Sequence, residues 1–367
     1  MKAQNPNLES KTNPELKNGK DSSRMVSLDL LRILACFSVI VLHASAQFWY
    51  TLPVTGADWQ IADAYNAVSR FGVPVFAMIS GALFLAPGKE ISLKKLYTHN
   101  ILRLVIIYLV WTCLYAAFDC RNVPAYQLDK QAILMEIYGS KYHLWYLPMA
   151  AGLYILLPVL RSWVEKAEKK NLQYFLVLFL VFQVGKETTM ALRHTNGMEF
   201  FWKLADIYMV CGYLGYFVLG HYLLRFGLEK KWRRLVYAGG ILGVFANIIL
   251  GSLLSLRAGT PSAAIYDSFG FFTFLISAAL FQFFTEKVEA IRFSPLARRL
   301  IRQVSLSTLG IYLMHLGLLE FLFPLGIHSM SFTPILCIPL FSLFCFAVCL
   351  VLSALLRRIP FIGRFLC

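Results

Sequence analysis

Residues 27–48 read SLDLLRILACFSVIVLHASAQF. This stretch is apolar and long enough to cross a bilayer as a helix, since about 20 residues span the hydrocarbon core. It nevertheless contains Asp29, Arg32 and His43, which lipid would exclude. At about 100° per residue, these side chains fall within about 60° of one another on one helix face. The sequence therefore predicts a transmembrane helix with one face turned toward protein.

The two strongest candidates on this helix lie at different depths. Arg32 and His43 are 11 residues apart, which is a rise of about 16 Å, or about half of the hydrocarbon thickness. We expect the arginine near one membrane edge and the histidine deep inside. Two simpler interpretations stay open. Asp29 and Arg32 have the spacing of an i, i+3 ion pair, and His43 also fits a buried histidine bonded to a neighbouring helix.

The composition of the whole chain indicates a membrane protein. Hydrophobic residues make up 58% of the 367 residues and charged residues 15%, whereas soluble domains are less apolar and more charged. The chain is therefore predicted to be an all-α polytopic membrane protein with about ten transmembrane helices. The predicted spans are 28–48, 65–86, 100–118, 143–160, 172–186, 204–224, 235–256, 268–285, 304–323 and 333–356.

Basic residues alternate between the segments that join these spans. If the N-terminus is cytoplasmic, the segments on that side contain 25 Lys and Arg, and the opposite segments contain 7. Because cytoplasmic loops are enriched in Lys and Arg, both termini are predicted to be cytoplasmic. The net charge of +15 then reflects topology, not nucleic-acid binding. The expected domains are a disordered cytoplasmic tail (1–25), a transmembrane domain (26–356) and a short basic cytoplasmic tail (357–367).

Cysteines and short motifs give no support to several other classes of protein. The eight cysteines form no CxxC pair, so neither a disulfide framework nor a zinc site is indicated. The sequence has no GxxxxGK[ST], HExxH or GxSxG motif. In the second span, Gly72, Pro74 and Gly81 permit a kink and close helix approach, and the carbonyl freed by Pro74 indicates a polar cavity nearby.

Further polar side chains are expected at two depths. Arg103 begins the third span at its cytoplasmic end, behind Lys94 and Lys95, although the positive-inside bias alone also explains the two lysines. Four residues fall in the outer half: His143, Asp206, His315 and Glu320. For the last three, an interhelical hydrogen bond is the alternative. A cluster of cations at the cytoplasmic end of the bundle suits the phosphates of acyl-coenzyme A. A histidine in a site that excludes water suits general-base or nucleophilic catalysis.

The chain resembles the acyltransferase-3 family of membrane O-acyltransferases in four blocks that occur in order. The blocks are SLDLLRILACFSVIVLH (27–43), VPVFAMISGALFL (73–85), HLWYL followed by LYILLPVLR (143–161), and LGIYLMH (309–315). In the first block, arginine, ten residues and histidine form the signature of the family. The resemblance covers about residues 26–356.

The resemblance implies a multi-pass protein of the bacterial cytoplasmic membrane. Such a protein takes an acyl group, usually acetyl, from cytoplasmic acyl-coenzyme A and transfers it to a hydroxyl of an extracytoplasmic or lipid-linked glycan. The expected catalytic residues are His43, Arg32, Asp29, His143 and His315. The expected residues that bind acetyl-coenzyme A are Arg32, Arg103, Lys94 and Lys95. No metal is expected.

Two departures from the family and two rival interpretations remain. Asn100 stands where many relatives have the first of two arginines, and the chain stops soon after its tenth span, whereas some relatives append an esterase-like domain. A transporter of a small amino acid or glycan precursor would use the same buried charges for binding or proton relay. In a scaffold, the polar residues would only hold helices together.

Overall fold

The computed structural model describes residues 24–88, 92–120, 141–193, 195, 197–199, 202, 212–360 and 363. In these ranges every regular element is a helix, and nine helices are long and apolar enough to cross a membrane. A shorter helix, α6 (Tyr213–Phe226), is the described part of the predicted sixth span. The prediction of an all-α polytopic membrane protein with about ten spans is confirmed. The predicted tail 1–25 lies almost entirely outside the described residues.

The other helices are numbered in chain order. They are α1 (Val26–Ser45), α2 (Ala57–Phe84), α3 (Leu93–Cys120), α4 (Tyr142–Lys166), α5 (Lys169–Leu192), α7 (Lys230–Ala258), α8 (Ala264–Val288), α9 (Pro295–Leu325) and α10 (Pro334–Leu356). Some begin before the predicted apolar stretch, since polar residues continue the helix beyond the membrane core. In α9 the Ser294 side chain caps the N-terminus by accepting a hydrogen bond from the Ala297 N–H at 3.2 Å.

The helix with the predicted polar face, α1, lies at the centre of the bundle. It packs against both halves of α2, against α9 and α10, and against the end of α8. Leu31, Ala35, Ile40 and Ala44 are completely buried. Since protein surrounds most of α1, its polar side chains can face other helices and cavities.

The second helix, α2, is interrupted near its middle. Its two segments, Ala57–Ser69 and Gly72–Phe84, meet in a turn at Arg70 and Phe71. Pro74 lies in the first turn of the second segment, where its missing N–H costs no helical hydrogen bond. The interruption therefore places an arginine at a break in a membrane helix.

Two glycines allow α2 and α6 to pack with their backbones in contact. A Cβ atom at Gly81 would overlap the carbonyl oxygen of Phe217, and a Cβ atom at Gly220 would overlap the carbonyl oxygen of Met78. Because both obstacles are backbone atoms, no change of side-chain rotamer relieves the overlap. The close approach predicted for Gly81 is thus present in the fold.

Replacing Gly220 with alanine is expected to destabilise the protein by about 1–3 kcal/mol or more, because overpacking forces the two helices apart. The measurement is the thermal unfolding midpoint of the purified protein in detergent. Gly152→Ala is the matched control, since a Cβ at this glycine of α4 meets no atom within 4 Å. This control should keep or slightly raise the midpoint, because alanine favours a helix more than glycine does. Equal midpoints for the two variants would contradict the prediction.

The outer surface of the bundle is apolar. On α7 the exposed side chains include Ile241, Leu242 and Phe245, and on α10 they include Leu343 and Phe344. A soluble protein would bury such side chains, whereas a bilayer accommodates them. The helical bundle is therefore that of a multi-pass membrane protein.

Candidate active site

Two cavities lie along α1, one beside Arg32 and the other beside His43. The first, here called the arginine cavity, has a volume of about 720 Å³ and is lined by Arg32, Arg103 and Arg357 together with His99 and Asn100. None of the described residues that line it is acidic. Among the described residues, the lining therefore presents three guanidinium groups and no carboxylate.

Asp29 anchors the start of α1 and leaves Arg32 turned toward the arginine cavity. Its carboxylate accepts two hydrogen bonds from Arg24, at 2.6 and 2.7 Å, and one from the Ser305 hydroxyl at 2.6 Å. Arg32 Nη1 lies 3.9 Å from Asp29 Oδ1, so the expected i, i+3 contact exists but is long. Asp29 does not line the cavity. It positions α1 against α9.

A π-helical turn begins the part of α3 that reaches the arginine cavity. The turn covers Leu96–Ile101 and contains His99 and Asn100, both of which line the cavity, as does Arg103 in the next turn. π-Helical turns often mark functional sites, because they rotate side chains out of the regular helical register. Lys94 and Lys95 are exposed and do not line the cavity. Their role in donor binding stays a prediction.

Arg357, which directly follows α10, is a third cation that sequence reasoning missed. Its Nη1 donates a hydrogen bond to Ser307 Oγ at 3.1 Å and lies 3.4 Å from the Gln303 carbonyl oxygen. These contacts hold the guanidinium against α9 at the edge of the arginine cavity. In the sequence, this arginine looks like any basic residue that flanks a span.

The second cavity, here called the histidine cavity, has a volume of about 520 Å³ and is lined by His43 and His143. Arg70 contributes a guanidinium group to the same lining. Its aromatic lining residues are Trp49, Tyr50, Tyr142, Trp145 and Tyr312. The two cavities thus differ in chemistry: one is strongly cationic, and the other combines imidazoles with aromatic walls.

Three of the predicted histidines meet beside this cavity. The His43 and His315 rings are stacked with their centroids 5.0 Å apart, and the His143 centroid lies 5.3 Å from that of His315 and 6.4 Å from that of His43. His143 and His315 are buried, whereas His43 is only partly buried and faces the cavity. Three distant segments of the chain therefore supply one cluster.

Backbone carbonyls determine the tautomers of the two buried rings. His143 Nε2 lies 3.4 Å from the Leu313 carbonyl oxygen, and His315 Nδ1 lies 2.5 Å from the Tyr312 carbonyl oxygen. Since a carbonyl can only accept, each of these nitrogens bears the proton. The opposite nitrogens, His143 Nδ1 and His315 Nε2, have no hydrogen-bond partner in the described part of the chain. In each ring, one nitrogen therefore carries the proton and the other has no hydrogen-bond partner among the described residues.

Tyr312 borders both cavities. Its side chain lines both of them, and its hydroxyl donates a hydrogen bond to the His143 carbonyl oxygen. The Tyr146 ring, which lines the arginine cavity, lies with its centroid 5.6 Å from that of Tyr312. Arg32 and His43 thus line two different cavities that share a tyrosine, and they lie about 16 Å apart along α1.

An ion-pair bridge holds the segment that bears His143. Lys141 Nζ lies 3.0 Å from Asp119 Oδ1 at the end of α3 and 2.9 Å from Glu320 Oε1 on α9. Burial lowers the pKa of the Lys141 ammonium, but the hydrogen bonds to Glu320 and Asp119 outweigh burial and hold the pKa above its usual value. The bridge therefore ties α3, α4 and α9 together beside the histidine cluster.

Asp206 lies outside the described residues.

A comparison with family models agrees with the fold and the motifs. The model described as an acyltransferase domain, acyltransferase-3, matches residues 25–354. No curated protein and no solved structure matches the chain. The matched region contains α1, the three clustered histidines and two of the three arginines in the arginine cavity. The chain therefore belongs to the acyltransferase-3 family of multi-pass membrane acyltransferases.

Proposed function

We propose that this protein is an O-acyltransferase that moves an acyl group, acetyl by its resemblance, from cytoplasmic acyl-coenzyme A to a hydroxyl of an extracytoplasmic or lipid-linked glycan. The observation that supports this proposal is the pair of chemically different cavities that share Tyr312. The family membership supports acyl transfer in general. The positive-inside pattern of the sequence supports a cytoplasmic position for the arginine cavity.

The arginine cavity fits the phosphate-bearing part of acyl-coenzyme A. Guanidinium groups bind phosphates through paired, charge-assisted hydrogen bonds, and such bonds are strong where water is scarce. Arg32, Arg103 and Arg357 approach from three different helices or segments, and no lining carboxylate among the described residues competes with a phosphate. With its phosphates there, an extended donor directs its thioester along α1 toward Tyr312 and His43.

The histidine cavity then holds the acceptor. His43 removes the proton from the acceptor hydroxyl while that oxygen attacks the thioester carbonyl. The tetrahedral intermediate collapses, the carbon–sulfur bond breaks, and the proton passes from His43 to the departing thiolate. A new ester bond and free coenzyme A result. The buried rings of His143 and His315 pack against His43 and orient it.

The test is an assay of the purified protein in proteoliposomes with radiolabelled acetyl-coenzyme A and an extract of surface glycans. We expect label to enter the glycan with release of one coenzyme A per acetyl group. Mass spectrometry of surface glycans from a deletion strain, complemented with the wild type or with His43→Ala, identifies the product in cells. If the liposomes transport a substrate but consume no acetyl-coenzyme A, the transporter interpretation is correct and this proposal is wrong.

Replacing Arg357 with alanine is expected to raise the KM for acetyl-coenzyme A by about 10-fold or more and to change kcat little. The reason is that a hydrogen bond to a charged group contributes about 1.5–3 kcal/mol. Steady-state kinetics with varied acetyl-coenzyme A measure this effect. Arg358→Ala is the matched control, because this neighbouring arginine is exposed and does not line the cavity.

A second substitution distinguishes loss of a cation from loss of structure. Asn100 lines the same cavity as Arg357, so Asn100→Arg adds a guanidinium to the part of the lining that α3 contributes. In the Arg357→Ala background, this change should restore most of the affinity for the donor. An unchanged KM in Arg357→Ala, or a raised KM that Asn100→Arg does not lower, would show that Arg357 does not bind the donor.

A further inference from the structure

We propose that the histidine cavity selects an acceptor sugar that carries an oxyanion, either a carboxylate or a phosphate, and that Arg70 binds this group. The inference rests on the proposed acyl transfer and specifies its acceptor. It concerns the chemical class of the sugar and a specificity-determining residue that the sequence motifs do not include.

The Nε atom of Arg70 is held by a hydrogen bond, whereas the two terminal amino groups of its guanidinium remain available as donors. Its Nε donates a hydrogen bond to Asn66 Oδ1 at 2.9 Å, and its guanidinium carbon lies 5.5 Å from the centre of the Tyr266 ring. Its two terminal amino groups have no hydrogen-bond acceptor among the described residues. Since Arg70 lines the histidine cavity, those donors are available to a ligand there.

Asn66 connects Arg70 to the part of α1 that contains His43. Its side-chain amide donates to the Leu42 carbonyl oxygen at 3.2 Å and lies 3.4 Å from Ser45 Oγ. These two residues flank His43 in sequence. The guanidinium and the imidazole therefore belong to one packed unit, and a single sugar or a pair of sugars in the cavity contacts both.

No direct ion pair neutralises Arg70 in the described part of the chain. The nearby buried carboxylate, that of Asp63, accepts a hydrogen bond from the Tyr266 hydroxyl instead. No acidic residue is found among the described lining of the histidine cavity. A cation without a close counterion in a site of low dielectric constant attracts an anionic ligand strongly.

The aromatic walls indicate that this anion is attached to a sugar. Trp49 and Trp145 line the same cavity as Arg70, and Tyr50 lies at its rim with 87% of its surface exposed. Aromatic rings offer broad apolar faces, and tyrosine and tryptophan also carry a polar group. A sugar ring has apolar C–H faces and polar edges, so it fits such walls better than a small free anion does.

The test compares three acceptors that differ only in charge. They are a neutral glycoside, the corresponding uronic acid glycoside and the corresponding sugar phosphate, each assayed for kcat/KM with acetyl-coenzyme A. We expect the wild type to prefer at least one charged acceptor by about tenfold or more. The uronic acid and the phosphate distinguish the two sources of negative charge. Arg70→Ala should lose this preference, so that the ratio of its kcat/KM values for the charged and the neutral glycosides falls to about one.

Arg70→Lys is the companion variant, because it keeps the positive charge and should keep a measurable preference for the charged acceptor. The thermal unfolding midpoint shows whether each variant is folded, and the rise in midpoint with the charged glycoside alone reports binding without catalysis. Equal kcat/KM values for neutral and charged acceptors in the wild type would overturn the inference but leave the proposed function intact. Failure to consume acetyl-coenzyme A with these acceptors and also with the glycan extract would overturn both.

Discussion

Replacing His43 with alanine is expected to lower kcat by about 10²–10⁴-fold, because a positioned general acid–base group contributes this much to the rate. His43 and His143 both line the cavity, but His43 is the more exposed of the two, whereas His143 and His315 are buried. The unpartnered ring nitrogens of His143 and His315 are buried, so His43 is the histidine best placed to contact an acceptor. The measurement is the initial rate of coenzyme A release at saturating donor and acceptor, per mole of folded protein.

The matched control for this variant is His328→Ala. His328 is a partly buried histidine that lies near the end of α9 and lines neither cavity. Its loss should leave kcat within about twofold of the wild type. His43→Ala should still bind acetyl-coenzyme A with the wild-type dissociation constant, because the donor phosphates lie in the other cavity. A His43→Ala enzyme with more than a third of the wild-type kcat would refute the proposed role.

Replacing Arg32 with alanine is expected to raise the KM for acetyl-coenzyme A by about 10–150-fold. The loss of a charge-assisted hydrogen bond to phosphate costs about 1.5–3 kcal/mol, and bidentate contacts place Arg32 at the upper end of that range. The side chain of Arg32 is 27% exposed, to the arginine cavity, and its contact with Asp29 is long at 3.9 Å. Its donors are thus available to the substrate. Kinetics with varied donor at fixed acceptor measure the change.

Arg299→Ala is the control for charge alone. This arginine is exposed at the start of α9 and does not line the arginine cavity. It contributes to the positive electrostatic potential at the proposed cytoplasmic end of the bundle, but it makes no proposed contact with acetyl-coenzyme A. Its KM should stay within about twofold of the wild type. If Arg32→Ala and Arg299→Ala raise the KM equally, general electrostatic attraction rather than specific binding explains the effect.

The sequence predicted features that depend on local pattern. The polar face of α1 follows from helical periodicity, the number of helices follows from apolar length, and the close approach at Gly81 follows from a small residue in a membrane helix. For His43, His143 and His315, the sequence predicts only that they lie at a similar depth in the membrane. Their ring-to-ring packing depends on how α4 and α9 dock on α1, which no local pattern specifies.

Residues from distant parts of the chain account for what the sequence did not reveal. With Asn100 in place of an arginine, the inner cationic site looked incomplete, yet Arg357 completes a set of three guanidinium groups in the same cavity. Arg70 likewise looks in the sequence like an arginine near the end of a span, where its side chain could extend to the headgroups. Its placement follows from the break in α2 and from the hydrogen bond with Asn66.

The shared wall at Tyr312 has a consequence for inhibitor design. Because one side chain borders both cavities, a single molecule that joins a sugar to the pantetheine arm of coenzyme A by a short linker would occupy both at once. Tethering makes the second binding event intramolecular, so such a bisubstrate ligand should bind more tightly than either half by about 10²–10⁴-fold. The linker length that gives the tightest binding should then report the distance between the two bound halves.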